Sequence, residues 1–427
     1  MVEISQIDQT VIASSHKRTC LVVIGGGAAG FFCAVNAAKF NPLLRVIIVE
    51  KSSKLLSKVR ISGGGRCNVT HACYSMAEMI KKYPRGSSFL KKAFHQFFTT
   101  DTINWFKERG VELKTEPDGR MFPESNTSQT IVDCLMKEVN DYGVEILMNK
   151  EVKAVIKIKQ HWQLLFANET ILDADYICIA SGGYPKSSQF EWLQKLGHTI
   201  ETPVPSLFTF NMPGNSITSL MGVVAEHVTV KIAGTKLFEQ GPLLITHWGM
   251  SGPAILKLSA WGARQLYTDQ YKFTVIVNWV PAYNEQTLKN KFQEVRFEVA
   301  AQKINNRNPF GLPQRLWTYL LNQSGINEDM RWADLPAKEQ NKLIKMLCTH
   351  EFAVNGKTTF KEEFVTAGGV HLGEINSHTM ESMLAPKLFF CGEVMDTDGV
   401  TGGFNFQNAW TTGFIAAKAI AEKTVVA

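Results

Sequence analysis

The run Cys20-Leu-Val-Val-Ile24 passes without a break into Gly25-Gly26-Gly27-Ala28-Ala29-Gly30, and from there into the small, apolar stretch Phe31 to Ala38. A second apolar run, Val46 to Val49, ends on Glu50. Strand, glycine turn, helix and strand in about 30 residues make a complete β-α-β unit, and the G-x-G-x-x-G spacing inside it assigns each glycine a task. Gly25 permits the tight turn, Gly27 lets the main chain approach a pyrophosphate, and Gly30 lets the helix settle on the strand. The helix N-terminus adds unpaired N–H groups and positive potential at the same spot. Glu50 stands where an acidic side chain accepts hydrogen bonds from an adenosine ribose and disfavours a 2′-phosphate. Ala28, Ala29 and Lys51 complete this first cofactor-binding cluster, whose competing reading is a bare glycine turn with a solvated acid.

The far end of the chain says which dinucleotide. Cys391-Gly392-Glu393-Val-Met-Asp396-Thr-Asp398-Gly399 follows a strand-like run, and Gly402-Gly403-Phe-Asn405-Phe-Gln407 opens the small-residue helix Ala409 to Ala421. A second strand-loop-helix element suits a long, two-ended ligand, with acidic side chains for ribityl hydroxyls and a helix N-terminus for the flavin pyrimidine ring. Non-covalently bound FAD is the expected cofactor. Lys58-Val-Arg60-Ile-Ser62-Gly63-Gly64-Gly65-Arg66-Cys67-Asn68 is the third dense cluster. Three consecutive glycines weaken any regular element, so they are read as freeing the backbone to wrap the pyrophosphate or the flavin edge, against the alternative of a flexible surface loop. Ser181 and Gly182, at the end of the buried strand Asp175 to Ala180, join the cofactor set.

Between the two glycine-rich ends the pattern changes. Helices are expected at Thr102 to Arg109 and Thr127 to Tyr142, and strands at Glu145 to Met148 and Ala154 to Ile158. After Thr202-Pro203-Val204-Pro205, alternating stretches at Val223 to Ile232, Leu243 to Thr246 and Tyr271 to Val280 read as a small antiparallel or barrel-like unit. Helical periodicity follows at Glu285 to Lys303, Leu312 to Asn322 and Ala337 to Leu347. The expected fold is α/β: a tail over residues 1–18, a cofactor domain over 19–203 and 356–427, and an insert over 204–355.

Composition agrees with a folded globular chain: 427 residues, 45% hydrophobic and 20% charged. The formal charge of +6 comes without a run of five like charges, which disfavours a dedicated nucleic-acid surface. A polar start without an apolar signal core, and apolar runs of strand length only, point to a cytoplasmic protein without membrane spans. The eight cysteines sit singly, so no metal site is expected.

These clusters, together with Gly119-Arg120-Met-Phe-Pro123, Thr246-His247-Trp248-Gly249-Met-Ser251-Gly252-Pro253 and Thr366-Ala-Gly-Gly-Val370, resemble the HI0933-like (YhiN-like) flavoproteins, also labelled NAD(P)/FAD-dependent or aminoacetone-oxidase-type oxidoreductases. The resemblance runs from about Cys20 onwards. It implies a two-dinucleotide-binding, glutathione-reductase-like Rossmann domain split by an insert with a barrel part and a helical part. Family members are similar to enzymes of very different chemistry, including steroid-enone reduction and amine oxidation. Asn408 departs from the family, which more often carries an aromatic residue there.

The expected activity is that of an oxidoreductase acting on a small organic substrate by hydride transfer through the flavin, as an NAD(P)H-dependent reductase or an amine oxidase. NAD(P)H, lacking a Rossmann domain of its own, would visit the flavin face transiently. Three other readings stay open: a disulfide reductase using Cys67 and Cys73, whose C-x5-C spacing is one residue too long; a flavin-dependent tRNA-modifying enzyme; and a non-catalytic redox sensor. His247 is the catalytic candidate, titrating near neutrality at a strand end beside Trp248, with His371 a weaker one. Arg120 suits an anionic substrate group or a structural ion pair.

Overall fold

A computed structural model describes residues 18–359 and 365–425; the expected N-terminal tail, apart from Arg18, lies outside the described residues. The apolar runs pair as a five-stranded parallel sheet in the order Leu388–Phe390, Tyr176–Ile179, Cys20–Ile24, Arg45–Val49, Glu145–Leu147. Both faces of this sheet are covered, which is why Cys20–Ile24 reads as continuous hydrophobicity and is buried at every position. Helix Ala28–Phe40 packs on the sheet and against the long C-terminal helix Phe404–Val425. Their close approach needs Gly413, where a Cβ would stand 2.8 Å from the Ala29 carbonyl oxygen. Strands Val152–Ile158, His161–Phe166 and Ile171–Ala174 form an antiparallel sheet on the crossover, and Trp162, Leu164 and Phe166 join the main core.

A second core runs from Phe208 to Val354 and is separate from the first. It lines a seven-stranded antiparallel sheet in the order His350–Asn355, Lys272–Asn278, Val224–Ile232, Phe238–Thr246, Gly249–Ser251, Thr209–Asn211, Lys357–Thr358. The two ends of this order are halves of one chain segment, bent at Gly356 with φ +102°. Helices Glu285–Glu298, Gln314–Ser324 and Ala337–Cys348 follow the expected periodicity; Gln314–Ser324, for example, buries Leu316, Trp317, Leu320 and Leu321.

The passage between the two cores is itself ordered. Ile200–Ser206 pairs antiparallel with Val365–Val370, so the sequence break at 203 falls within a strand, next to a register shift that accommodates the prolines. Gly368 and Gly369 are required there, because a Cβ would sit 2.5 Å from the Thr202 carbonyl oxygen and 2.4 Å from that of Val394 respectively. Two arginines bridge the junction. Arg85 holds the fully buried Asp398 and donates to the Ala260 carbonyl at 2.8 Å, while Arg264 donates to Asp396 at 2.9 and 3.0 Å. Among the described residues no helix is long and apolar enough to cross a membrane, and no three His, Cys, Asp or Glu side chains cluster as metal ligands.

Candidate functional site: the cavity between the two cores

The three glycines of the first turn divide their work. A Cβ on Gly25, whose φ is +120°, would lie 2.3 Å from the Ala180 carbonyl oxygen, and one on Gly30 would lie 2.0 Å from that of Gly25. These two hold strand to helix. A Cβ on Gly27 would meet nothing within 4 Å, because this residue faces a cavity of about 700 Å³. Gly27 also caps helix Ala28–Phe40 without a side-chain acceptor, leaving the first-turn amides for a ligand anion. Glu50 is fixed at the rim, accepting from the Gly26 and Ser52 amides at 2.9 Å each and from Ser52 Oγ at 2.8 Å.

The stretch from Lys58 to Asn68, expected as a loop wrapping the cofactor, lines the cavity as a short helix followed by a glycine turn. A short helical stretch begins at Ser57 and breaks at Ser62, after which Gly63, Gly64 and Gly65 all take left-handed φ of +60°, +70° and +84°. A Cβ on Gly64 would point into open space, whereas one on Gly63 would strike the Phe122 ring at 2.6 Å. Lys58 crosses to Glu393 at 2.6 Å, and Glu393 also accepts from the Thr366 amide at 2.9 Å, tying three distant segments together. Asn68, with its amide oriented to suit both neighbours, donates to the Thr70 carbonyl and accepts from the Gly403 amide, each at 3.0 Å. Asn405 pins the opposing loop by bonds of 2.8 and 2.9 Å to both backbone groups of Gly399.

The cavity therefore brings together Gly25, Gly27, Ala28, Ala29, Glu50, Lys51, Lys58, Ser62, Gly63, Gly64, Asn68, Ser181, Gly182, Gly392, Glu393, Gly402, Gly403 and Asn405. A second recess of about 320 Å³ shares Gly25, Glu50, Lys51 and Ser181 with it and extends to Val152, Tyr184 and Trp192.

Other expected residues do not line either space. Gly30 is a packing residue. Arg60 donates to Gln129 at 2.8 Å, and Arg66 pairs with Glu116 at 2.5 Å over the face of Phe122. Cys67 is fully buried, and that burial pushes its thiol up to about 12, opposite to what a redox-active thiolate needs. Asp396 is engaged by Arg264. Gln407 is buried in a network with Thr70 and Thr102 at 2.6 and 3.0 Å. His247 is exposed, its ring centre 4.2 Å from that of Trp248, and His371 pairs with Glu201 at 2.9 Å. Arg120 does line the cavity, while also pairing with Asp118 at 2.6 Å and Glu116 at 3.2 Å.

What motif reading missed is the roof. Leu207, Thr209, Ser251 and Leu256, which follow the strand Ile200–Ser206, line the cavity together with the glycine-rich segments. Trp248 stands behind them and donates from Nε1 to Thr209 Oγ1 at 3.0 Å. Only Ser251 lay in a quoted motif; Leu207, Thr209 and Leu256 carry no motif signal and are placed there by tertiary packing.

The polar inventory tests whether FAD fits. Three buried side-chain atoms at or beside the cavity have no hydrogen-bond partner: Ser181 Oγ, Thr366 Oγ1 and Asn408 Oδ1. Leaving such groups unpaired is costly, and a ligand rich in hydroxyl, amide and phosphate groups satisfies them. Residues 19–419 match the family described as HI0933-like protein Rossmann domain. The chain belongs to the HI0933-like family.

Relatives of this HI0933-like chain span nearly its full length. A protein of Escherichia coli named ribosomal RNA dihydrouridine synthase is 31% identical over 94% of this chain and 98% of its own. A protein of Haemophilus influenzae with the same name is 29% identical over the same shares. A 3-dehydro-bile acid delta(4,6)-reductase of Clostridium scindens is 26% identical, again over 94% and 98%. The HI0933-like chain is a flavoprotein with a Rossmann-type FAD-binding domain, and an FAD-dependent oxidoreductase.

Proposed function

We propose that this HI0933-like enzyme reduces a carbon–carbon double bond conjugated to a carbonyl, and that its substrate is a uracil base of ribosomal RNA. The observation that carries the reading is the full-length likeness, at 31% identity, to a protein named ribosomal RNA dihydrouridine synthase. A dihydrouridine differs from uridine by hydride and proton added across the C5–C6 bond, which is conjugated to the C4 carbonyl. A 3-keto steroid with double bonds at positions 4 and 6 presents the same problem, so one flavin chemistry serves both kinds of relative. A nucleic-acid partner, disfavoured by the modest and dispersed charge, enters on the strength of these relatives.

In this reading the cavity-lining cofactor residues hold FAD: Gly27 and the amides after it take the pyrophosphate, Glu50 takes the adenosine ribose, and Glu393 the ribityl chain. FAD held there and reduced by a visiting NAD(P)H would supply the hydride. The N-terminus of helix Phe404–Val425 favours negative charge beside it. The insert, read as a barrel plus helices because one bent segment stands at both ends of its sheet, roofs the site and excludes water. Leu207 and Leu256 offer a flat ring an apolar surface, and Thr209, Ser251 and Arg120 carry exchangeable protons at the cavity.

Unmodified ribosomal RNA incubated anaerobically with the enzyme and NADH or NADPH, then digested to nucleosides, tests this by mass spectrometry. Dihydrouridine is the expected product. RNA left unreduced while a 3-keto-4-ene steroid is consumed would transfer the assignment to a small-molecule enone. Failure to oxidise NAD(P)H with any acceptor would support a sensor.

A further inference from the structure

Asn408 is an anomaly in its surroundings. It lies on the C-terminal helix, only 2% exposed, one residue before the buried Ala409 and two before the buried Trp410. Its Nδ2 donates to Thr397 Oγ1 at 2.8 Å, which anchors the amide from behind. Its Oδ1 has no partner, although the residue lines the 700 Å³ cavity. A buried acceptor held in place and left unpaired is a standing cost to the fold, larger than the benefit of the single bond to Thr397. An apolar residue would fill the position without that cost.

We propose that Asn408 is a positioning residue for the flavin half of the cofactor, its Oδ1 accepting a hydrogen bond from an N–H or O–H donor of the ribityl-isoalloxazine portion. This rests on the reading of the cavity as the FAD site. Asn408 is tied to Thr397 in the loop that follows strand Leu388–Phe390, whereas Glu50 follows strand Arg45–Val49, three places away in the sheet order. In the proposed binding mode the adenosine diphosphate half lies on the Glu50 side of the sheet and the flavin half on this one. The acceptor rewards a ligand that carries the flavin and is indifferent to one that lacks it.

The test is equilibrium titration of apoprotein with FAD, followed by flavin fluorescence, and with ADP, followed by calorimetry. Wild type, Asn408→Leu and Asn408→Asp are compared after thermal melts establish that each is folded. Leu removes the acceptor and should raise the dissociation constant for FAD about tenfold. Its constant for ADP should stay within about twofold of wild type. Asp keeps an acceptor in place, with Thr397 turning its hydroxyl to donate, and should recover most of the FAD affinity. Equal weakening of both ligands by Leu would make Asn408 a residue of the fold, and unchanged FAD binding would show that Oδ1 is not used. Wild-type apoprotein that binds neither ligand would instead sink the FAD reading of the cavity.

Discussion

Gly27 and Gly30 stand three residues apart in one motif and respond to opposite demands. Gly27→Val puts a branched side chain into space that is empty of protein, so it should abolish FAD binding while leaving the apoprotein as stable as wild type. Gly30→Val drives a carbon into the Gly25 carbonyl and should lower the melting temperature before any question of cofactor arises. Glu50→Ala is milder than Gly27→Val: losing charged hydrogen bonds to a ribose costs about 1.5–3 kcal/mol, or roughly ten- to a hundredfold in FAD affinity. Apoprotein titration with FAD, paired with thermal melts, ranks all three. The motif made these residues legible because it records backbone clearances. Asn408 was legible only as a departure from the family's usual aromatic residue, and the roof residues Leu207, Thr209 and Leu256 were not legible, since a cavity wall assembled from distant segments leaves no local spacing to read.

At the scale of elements, the edge strand of the insert carries a pH dependence. His350 accepts from Trp279 Nε1 at 3.3 Å and lies against Phe352, and burial lowers its pKa from 6.5 to about 4. With the folded value below the unfolded one, the neutral ring contributes stability in full above about 6.5, and this is lost as the pH falls toward about 4. The stake is about 3 kcal/mol. Urea unfolding followed at Trp fluorescence should therefore weaken on acidification through this window, and His350→Gln should flatten that part of the profile while keeping an acceptor for Trp279. Helices such as Ala337–Cys348 were legible from periodicity, and buried strands such as Cys20–Ile24 from unbroken hydrophobicity. Short pairings such as Thr70–His71 with Arg120–Pro123 were not, because two or three residues carry no period.

Across the whole molecule, the cofactor domain and the insert are coupled through Asp398. Burial raises its pKa, while Arg85 and Ser206 pull it back down. Arg85→Ala would leave a buried carboxylate without its cation, a change that typically costs about 3–5 kcal/mol. The expected result is a lower denaturant midpoint, with FAD affinity falling as the roof loosens over the cavity; an unchanged midpoint would show that the pair holds nothing together. The cofactor domain has a further property that follows from its split sequence. Strand Tyr176–Ile179 waits for Leu388–Phe390, and the cradle waits for Gly392 to Asn405, until the entire insert has been synthesised. A ribosome that has just completed the insert has made most of the protein and no working cradle, with a parallel edge still unpaired. On the proposed reading of the cavity, cofactor capture follows release of the last helix, and a chain cut short before Leu388 leaves the Tyr176–Ile179 edge unpaired.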